Sequence, residues 1–170
     1  TKLVDDVVDS WDILWNEKYK GQIMMYDSVR DSMAVALIRL GYDINTTDAK
    51  QIEEARDMLI AQKPLVLAYG TDEIKESMIS GSVALAVDYS GAAVDAISKN
   101  PDLRFVVPKE GSNIWVDNIV IMKNTKNREA CEEFINFLCD PEVEAKNSEY
   151  IGYTAPSDEA VKLVDPELSS

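Results

Sequence analysis

The chain has 170 residues, of which 46% are hydrophobic and 28% are charged, and this length allows one domain with a real core or two small lobes. Its 31 acidic and 17 basic residues give a formal net charge of −14, which argues against nucleic acid or an anionic membrane surface as a partner. Histidine is absent from the sequence, so the usual general base and the commonest metal ligand are missing. Since nucleotide-binding and C-x-x-C motifs are absent too, we expect neither a cofactor nor a metal ion.

Hydrophobic periodicity predicts alternating helices and strands, which is the pattern of an α/β sheet with helices on its faces. The first part of the chain is predicted to form a helix at 9–15, a strand at 21–27, helices at 28–41 and 45–62, and a strand at 65–70. Thr46 or Thr47 is the predicted cap of the 45–62 helix. The second part is predicted to form a helix at 71–81, a strand at 83–91, a helix at 92–100, strands at 103–111 and 114–122, a helix at 127–139, a helix opened by Pro141 and a short helix beyond Pro156.

Two cysteines, Cys131 and Cys139, lie eight residues apart on the helix predicted at 127–139. Eight residues of helix span roughly 12 Å, whereas a disulfide requires Cα atoms within about 7 Å, so these two cannot bond to each other in that helix. We therefore predict that both are thiols packed in the core.

Candidate binding residues follow the predicted strands, because ligands of α/β sheets bind where strands end and loops lead into helices. Three such ends carry polar or aromatic residues: Tyr26-Asp27-Ser28 with Asp31, Asp88-Tyr89-Ser90, and Trp115-Val116-Asp117. A fourth candidate is the loop Y-I-G-Y-T-A-P-S, which contains Tyr150 and Tyr153.

Trp115 and Asp117 lie two residues apart on a predicted strand, so their side chains are expected on the same face. An aromatic ring beside a carboxylate suits an alkylammonium, because the ring attracts the cation while the carboxylate accepts its N–H hydrogen bonds. The residues alone equally allow a structural interpretation, in which Trp115 packs in the core and Asp117 caps a turn.

The other candidates are also open to two interpretations. Asp31 lies in the first turn of a predicted helix, where an acidic residue is favoured by the helix dipole alone. Asp27 is suited to cap the same helix with Ser28, and Tyr89 is suited to pack as an edge aromatic. A pair of acids is also compatible with hydrolysis, although the sequence fixes no separation between them.

Five stretches resemble the spermidine/putrescine-binding proteins of bacterial ABC uptake systems, and together they cover essentially the whole chain. They are SWDILWNEKYKGQI, LIRLGYDINTTDAKQIEEA, VVPKEGSNIWVDNIVI, EFINFLCDPEVEAKNSEYIGYTAPS and LVDPEL. The motifs W-x-x-L-W, P-K-E-G with W-x-D, F-I-N-F and I-G-Y-x-x-P are specific in combination and weak individually. The resemblance implies a lobe of the type II periplasmic-binding-protein fold, with a mixed sheet flanked by helices.

The resemblance also implies roles for individual residues in a cleft where two lobes close over an extended polyamine. Trp115 and Asp117 match the family's central Trp-x-Asp, in which the tryptophan flanks the methylene chain and the aspartate binds an amine. Tyr153 matches the tyrosine of Ile-Gly-Tyr, and Tyr89 matches a position that an aromatic residue often holds.

Asp31 matches an acidic ligand position that is usually glutamate in the family. Ser28 occupies a position that is aspartate in some members and glycine in others, and a serine supplies no charge there. The resemblance therefore implies that amine binding at this end depends on Asp31, together with Asp27.

The resemblance further implies that relatives carry additional chain before Thr1 and after Ser170, so that this chain is a fragment corresponding mainly to the second lobe. Residues 1–117 are expected to form the α/β core of that lobe, 118–161 to belong to the first lobe in relatives, and 162–170 to return to the second. The 118–153 stretch is expected to repack, to swap with a second copy, or to expose apolar surface that drives homodimer formation.

The function implied by the resemblance is capture of putrescine or spermidine outside the cytoplasmic membrane and delivery to the permease subunits of an ABC importer. No reaction is implied, so we do not expect an enzyme. Contact with the membrane is expected only through the permease or through a lipid anchor, as in an extracytoplasmic lipoprotein. Three alternatives stay open: a binding protein for another small cationic solute, an acid-based hydrolase, and a module that only docks a permease.

Overall fold

The computed structural model describes residues 3–165. The chain divides into two compact units, with the boundary between Ile114 and Trp115. Strands occur in the first unit, and the described part of the second unit is helical.

The first unit is built on a sheet of three parallel strands, which confirms the predicted α/β class. The strands are β1 (Ile23–Tyr26), β2 (Val66–Gly70) and β3 (Leu85–Ala86), in the spatial order β2-β1-β3. Ile23 pairs with Val66 on one side and with Leu85 on the other, so β1 is the central strand. The apolar run that forms β1 is buried on both faces, as expected for the middle of a parallel sheet.

Within its described residues, the first unit has four α-helices: α1 (Val29–Arg39), α2 (Ala49–Gln62), α3 (Asp72–Ser80) and α4 (Ser90–Lys99). The helix predicted at 9–15 is a 3-10 helix at Trp11–Trp15, and further 3-10 turns lie at Glu17–Tyr19 and Lys63–Leu65. No helix within residues 3–165 combines the length and the apolar character needed to span a membrane.

The predicted cap of α2 is wrong, because Asp48 caps this helix instead of Thr46 or Thr47. The Asp48 carboxylate accepts a hydrogen bond of 2.8 Å from the Lys50 amide. The Thr46 hydroxyl is used elsewhere, since it donates to the Gln51 side chain at 2.6 Å.

The core of the first unit lies on both faces of β1, because successive side chains of a strand point in opposite directions. Ile23 and Met25 pack in one cluster with Leu14 of the Trp11–Trp15 turn. Met24 packs on the other side against Ile74 of α3. This packing fixes the helices to the central strand and so fixes the loops at its carboxyl end.

The carboxyl ends of β1 and β3 lie side by side, because the two strands are parallel neighbours. The pairing continues past β3, where the Val87 amide donates to the Met24 carbonyl at 3.0 Å. Asp27 and Ser28 follow β1, and Tyr89 follows β3. Side chains from the two strand ends are therefore brought to one edge of the sheet.

Two predicted strands are wrong, since residues 103–111 and 114–122 form no strand in the structure. The apolar side chains of the second segment are largely exposed, with Ile114 at 92% and Val120 at 74%. A β-branched apolar run favours a strand only where a hydrogen-bonding edge and a packing surface are available, and neither segment pairs with an edge of the described sheet. The strand predicted at 83–91 is likewise shorter than expected, because only β3 forms.

The described part of the second unit consists of α5 (Arg128–Leu138), α6 (Pro141–Ile151) and α7 (Asp158–Val161), which confirms the three helices predicted there. A small core joins α6 and α7 through Ala145, Ala155 and Ala160. Gly152 ends α6 with a φ of 72°, in the left-handed region that glycine adopts without steric cost. This turn directs the chain into Tyr153.

The prediction that both cysteines are core thiols is wrong. Both are free, Cys139 is exposed, and Cys131 is only half-buried. Helix α5 has no buried residue, and Phe134 and Phe137 on it are exposed at 59% and 57%. Periodicity therefore correctly predicts an apolar helix face here, but it does not predict what covers that face.

Candidate functional site

The site in the first unit begins at the cap of α1. The Ser28 side chain accepts a hydrogen bond of 3.3 Å from the Asp31 amide, so the chain turns into a helix directly after β1. This turn places the half-buried Asp31 in the first turn of α1 at the carboxyl edge of the sheet. The helix dipole stabilises a carboxylate at that position.

Two side chains from distant parts of the sequence hold the Asp31 carboxylate. The Tyr89 hydroxyl donates to Asp31 Oδ2 at 3.0 Å, and Asn113 Nδ2 donates to Oδ1 at 3.4 Å. Burial raises the pKa of the Tyr89 hydroxyl, and the hydrogen bond and charge of Asp31 raise it further. Tyr89 is therefore neutral at physiological pH and remains a hydrogen-bond donor to the carboxylate.

Tyr26, the last residue of β1, packs against Tyr89. Their ring centroids are 4.5 Å apart and the ring planes are tilted by 53°. Burial and the neighbouring Asp88 charge raise the pKa of Tyr26, so this ring also stays neutral. The pair provides an aromatic wall beside the Asp31 carboxylate, and such a wall attracts cations.

These side chains enclose a recess of about 40 Å³, which we call the Asp31 recess. Its wall includes Trp11, Tyr26, Asp31, Asp88, Tyr89 and Asn113. A cavity needs about 10–15 Å³ of such volume to hold one water molecule, so the recess has room for a group the size of an ammonium and not for a polyamine chain.

The electrostatic character of the recess is negative. Asp88 is half-buried, and burial raises the pKa of its carboxyl above the ordinary value. Asp88 Oδ1 accepts a hydrogen bond of 2.8 Å from the Tyr89 amide. Two carboxylates beside two neutral phenols favour a small cation with hydrogen-bond donors.

A larger cavity of about 490 Å³ also lies in the first unit, and Trp11, Asp88 and Ser112 line both this cavity and the recess. Most of its other lining is apolar, including Val7, Ile97 and Phe105. Since few polar groups in it converge on one point, the smaller recess is the better candidate for binding a charged group.

The Pro108–Gly111 turn fixes the position of Trp11. Trp11 Nε1 donates to the Gly111 carbonyl at 2.8 Å, and the Trp11 amide donates to Glu110 Oε2 at 3.3 Å. The Ser10 hydroxyl donates to the other Glu110 oxygen, and this hydrogen bond lowers the pKa of Glu110. The P-K-E-G motif therefore has a structural role, which is to attach one wall of the recess to the loop that carries Asn113.

The second unit holds a different set of candidates. Trp115 and Tyr153 form an edge-to-face pair with ring centroids 6.1 Å apart and planes at 75°. Trp115 is 43% exposed, so the interpretation of it as a core tryptophan is wrong. Asp117 is exposed on a segment without regular structure, and Nδ2 of the adjacent Asn118 donates to the Val116 carbonyl at 3.1 Å.

The structure joins Asp31 and Tyr89, which the sequence had placed at two different strand ends. Ser28 contributes as a helix cap, and Asp27 is exposed and, among the described residues, falls outside the lining of the recess. Asn113 was missed, since no local pattern marks a side chain that meets Asp31 from 82 positions away. Within residues 3–165, no cluster of cysteine or acidic side chains is arranged to hold a metal ion.

Over residues 1–170 the chain matches the family model of bacterial extracellular solute-binding proteins, and the chain belongs to this family. The sequence is 38% identical over 163 residues to the spermidine/putrescine-binding periplasmic protein of Escherichia coli (strain K12), which is 96% of this chain and 47% of that protein. This chain therefore spans about half the length of the curated relatives it matches.

The chain is similar to several solved structures, including the two that follow. The substrate-binding protein PotD of the spermidine/putrescine ABC transporter from Streptococcus pneumoniae is 41% identical with a TM-score of 0.85, over 99% of this chain and 52% of that one. The Tp0655 lipoprotein of Treponema pallidum is 25% identical with a TM-score of 0.89, over 96% of this chain and 53% of that one. These likenesses confirm the predicted resemblance to spermidine/putrescine-binding proteins. They also confirm the periplasmic-binding-protein type of fold.

Proposed function

We propose that this chain is the polyamine-binding part of an extracytoplasmic solute-binding protein that delivers putrescine or spermidine to an ABC permease. The observation that carries the proposal is the Asp31 recess, where a hydrogen-bonded carboxylate and two tyrosine rings surround space for one ammonium group. The relatives named for binding of spermidine and putrescine support the same ligand class.

A polyamine end is an alkylammonium with hydrogens that point in several directions. In the proposed complex, Asp31 accepts one of these hydrogens, and the Tyr26 and Tyr89 rings face the cation and the first methylene. A neutral or anionic solute of the same length binds poorly, because it leaves the half-buried Asp31 carboxylate without a compensating charge.

The remaining contacts are proposed for the second unit. Trp115 packs on the methylene chain, Asp117 accepts from a second amine, and Tyr153 holds the Trp115 ring through the edge-to-face contact. Ser28 acts by positioning Asp31, and Asp27 adds negative charge at the surface nearby. Each cation–π contact contributes about 0.5–2 kcal/mol to binding.

Isothermal titration calorimetry tests this proposal with putrescine and spermidine as ligands. We expect weak but saturable heat with both, and no saturable heat with 1,4-butanediol or succinate, which have the same carbon chain length as putrescine without its positive charges. Asp31→Asn should weaken putrescine binding, while Asp72→Asn, which removes an equal charge from an exposed position, should not. Saturation by succinate, or equal binding by Asp31→Asn and the original chain, would contradict the proposal.

Binding is proposed to leave the ligand chemically unchanged. The relatives are solute-binding proteins, and the Asp31 carboxylate is engaged by two donors instead of facing a base or nucleophile. Mass spectrometry of putrescine and spermidine after prolonged incubation tests this point. Recovery of a shortened or modified amine would favour the acid-based alternative.

The full-length protein is proposed to act outside the cytoplasmic membrane, attached by a lipid anchor and docked to permease subunits. The periplasmic relative of Escherichia coli and the lipoprotein of Treponema pallidum support this location. Metabolic labelling of the full-length protein with an alkyne fatty acid tests the anchor, and absence of label would contradict it.

The division of the chain is also proposed as 1–117, 118–161 and 162–170, of which 166–170 lies outside the described residues. Exposed apolar side chains in the second unit, including Val120, Phe134 and Phe137, support homodimer formation by this chain. Size-exclusion chromatography with light scattering should give the mass of a dimer. A compact monomer at high concentration would contradict the dimer.

A further inference from the structure

The Asp31 recess contains a second carboxylate whose role in binding is unassigned. Asp88 lies between β3 and α4 and lines the same recess of about 40 Å³ as Asp31. Asp88 follows β3 and Asp31 follows the neighbouring parallel strand β1, so the two acids line one small space from two elements. A single group that enters this space lies beside both acidic residues.

Asp88 has few partners of its own. Its carboxylate accepts a hydrogen bond from the adjacent Tyr89 amide, and within residues 3–165 it forms no ion pair with a lysine or arginine. The positive charge of Lys75 lowers the pKa of Asp88, but Lys75 itself is paired with Asp95 at 2.8 Å. A half-buried carboxylate with one hydrogen bond retains lone pairs that a ligand can use.

Asp27, another acidic residue near this site, does not line the Asp31 recess. Asp27 is exposed, and the Ser28 oxygen is used to cap α1. Asp31 is held on both oxygens by Tyr89 and Asn113. Asp88 is therefore the group in the recess with the most unused capacity to accept hydrogen bonds from a cation.

We propose that Asp88 is a ligand-binding residue, and that Asp31 and Asp88 together bind one terminal primary ammonium of the polyamine. The ammonium donates one hydrogen to each carboxylate and the third to a phenol oxygen of the recess wall. This inference rests on the proposed polyamine function and adds the requirement for an unsubstituted ammonium at this end.

Calorimetry with putrescine on the 170-residue chain tests the inference. Asp88→Asn keeps the shape of the side chain, and it should raise the dissociation constant about 10- to 150-fold, the range for loss of a hydrogen bond to a charged group. Asp72→Asn is the matched control, because Asp72 is exposed and contributes negative charge near Asp88 without lining the recess. This control should change the constant less than about twofold.

A second measurement uses the unaltered chain, so it does not depend on whether a variant folds. The ¹³C resonance of the Asp88 side-chain carboxyl in the unaltered chain should shift on addition of putrescine and should not shift with N,N,N′,N′-tetramethylputrescine, whose substituted ends exceed the recess. An unshifted Asp88 carboxyl at saturation, or an unchanged constant for Asp88→Asn, would overturn the role of Asp88 while leaving polyamine binding intact. Failure of the unaltered chain to bind putrescine or spermidine would overturn both.

Discussion

Asp31→Asn is the substitution that tests the geometry of the recess most sharply. The change removes one charge and preserves the size of the side chain, while Tyr89 and Asn113 still meet a polar group at the same place. Coulomb interaction between unit charges about 4 Å apart is about 1 kcal/mol in water and about 4 kcal/mol near a protein surface. Mutational values for hydrogen bonds to charged groups are about 1.5–3 kcal/mol, so putrescine binding should weaken about 10- to 150-fold.

The same variant should change Tyr89, and this second readout requires no ligand. Asp31 raises the pKa of the Tyr89 hydroxyl through its hydrogen bond and charge, in addition to the larger effect of burial. Asp31→Asn should therefore lower the pKa of Tyr89, although burial keeps it above the ordinary tyrosine value. At a fixed alkaline pH, absorbance should show more phenolate in the variant than in the unaltered chain.

Tyr89→Phe in the Asp31→Asn background is the control that assigns this absorbance change. Removal of the Tyr89 hydroxyl should abolish the extra phenolate signal. The reasoning would be refuted if Asp31→Asn left both the affinity for putrescine and the alkaline titration unchanged. A change in the titration alone would retain the Asp31–Tyr89 contact and reject Asp31 as a ligand group.

Three further predictions concern stability and the second unit. Ile74→Ala removes a side chain with no exposed surface and should lower the free energy of unfolding by about 2–5 kcal/mol, measured by urea denaturation; no loss would contradict the assigned core. Glu110→Gln should lower the free energy of unfolding at neutral pH, because the folded chain lowers the pKa of Glu110 and is therefore stabilised by its ionised form above the ordinary glutamate pKa. The difference in stability between Glu110→Gln and the unaltered chain should vanish as pH falls through the folded-state pKa of Glu110. Thermal melts across pH would refute this reasoning if the difference grew in acid. The double substitution of Phe134 and Phe137 by serine should shift light-scattering mass from dimer to monomer, whereas Ile60→Ser, which removes an exposed apolar side chain from the first unit, should not.

Local sequence patterns predict most of the first unit because its elements satisfy local rules. The apolar run of β1 is short and bounded by turns, Ser28 caps α1, and Gly81 ends α3 in a left-handed conformation. Each of these features is fixed by residues only a few positions apart. A pattern over such a short distance is therefore sufficient to predict the element.

The strand predicted at 114–122 fails for a different reason. The β-branched residues there favour extended pairing, but pairing depends on an edge supplied by another part of a chain. Burial of α5 likewise depends on residues distant in the sequence. Periodicity predicts this helix correctly, but neither cysteine on it is packed in a core. Local patterns specify which side chains are apolar and leave open what covers them.

The candidate site is predicted from sequence only in part. Asp31 and Tyr89 are marked by their places at strand ends, but their hydrogen bond joins residues 58 positions apart and follows from the parallel pairing of β1 with β3. Asp88 stands at one of the predicted strand ends, yet nothing local distinguishes its role from that of Asp27. The choice between them depends on burial, which is a property of the folded chain.

The most direct test of the central claim is a map of amide chemical shifts in ¹⁵N-labelled chain during titration with putrescine. We predict saturable shifts at Asp31, Tyr89 and Asn113, and no shifts at those amides when succinate is added at the same ionic strength. Putrescine binding with these three amides unchanged would contradict the assignment of the Asp31 recess as the ammonium site.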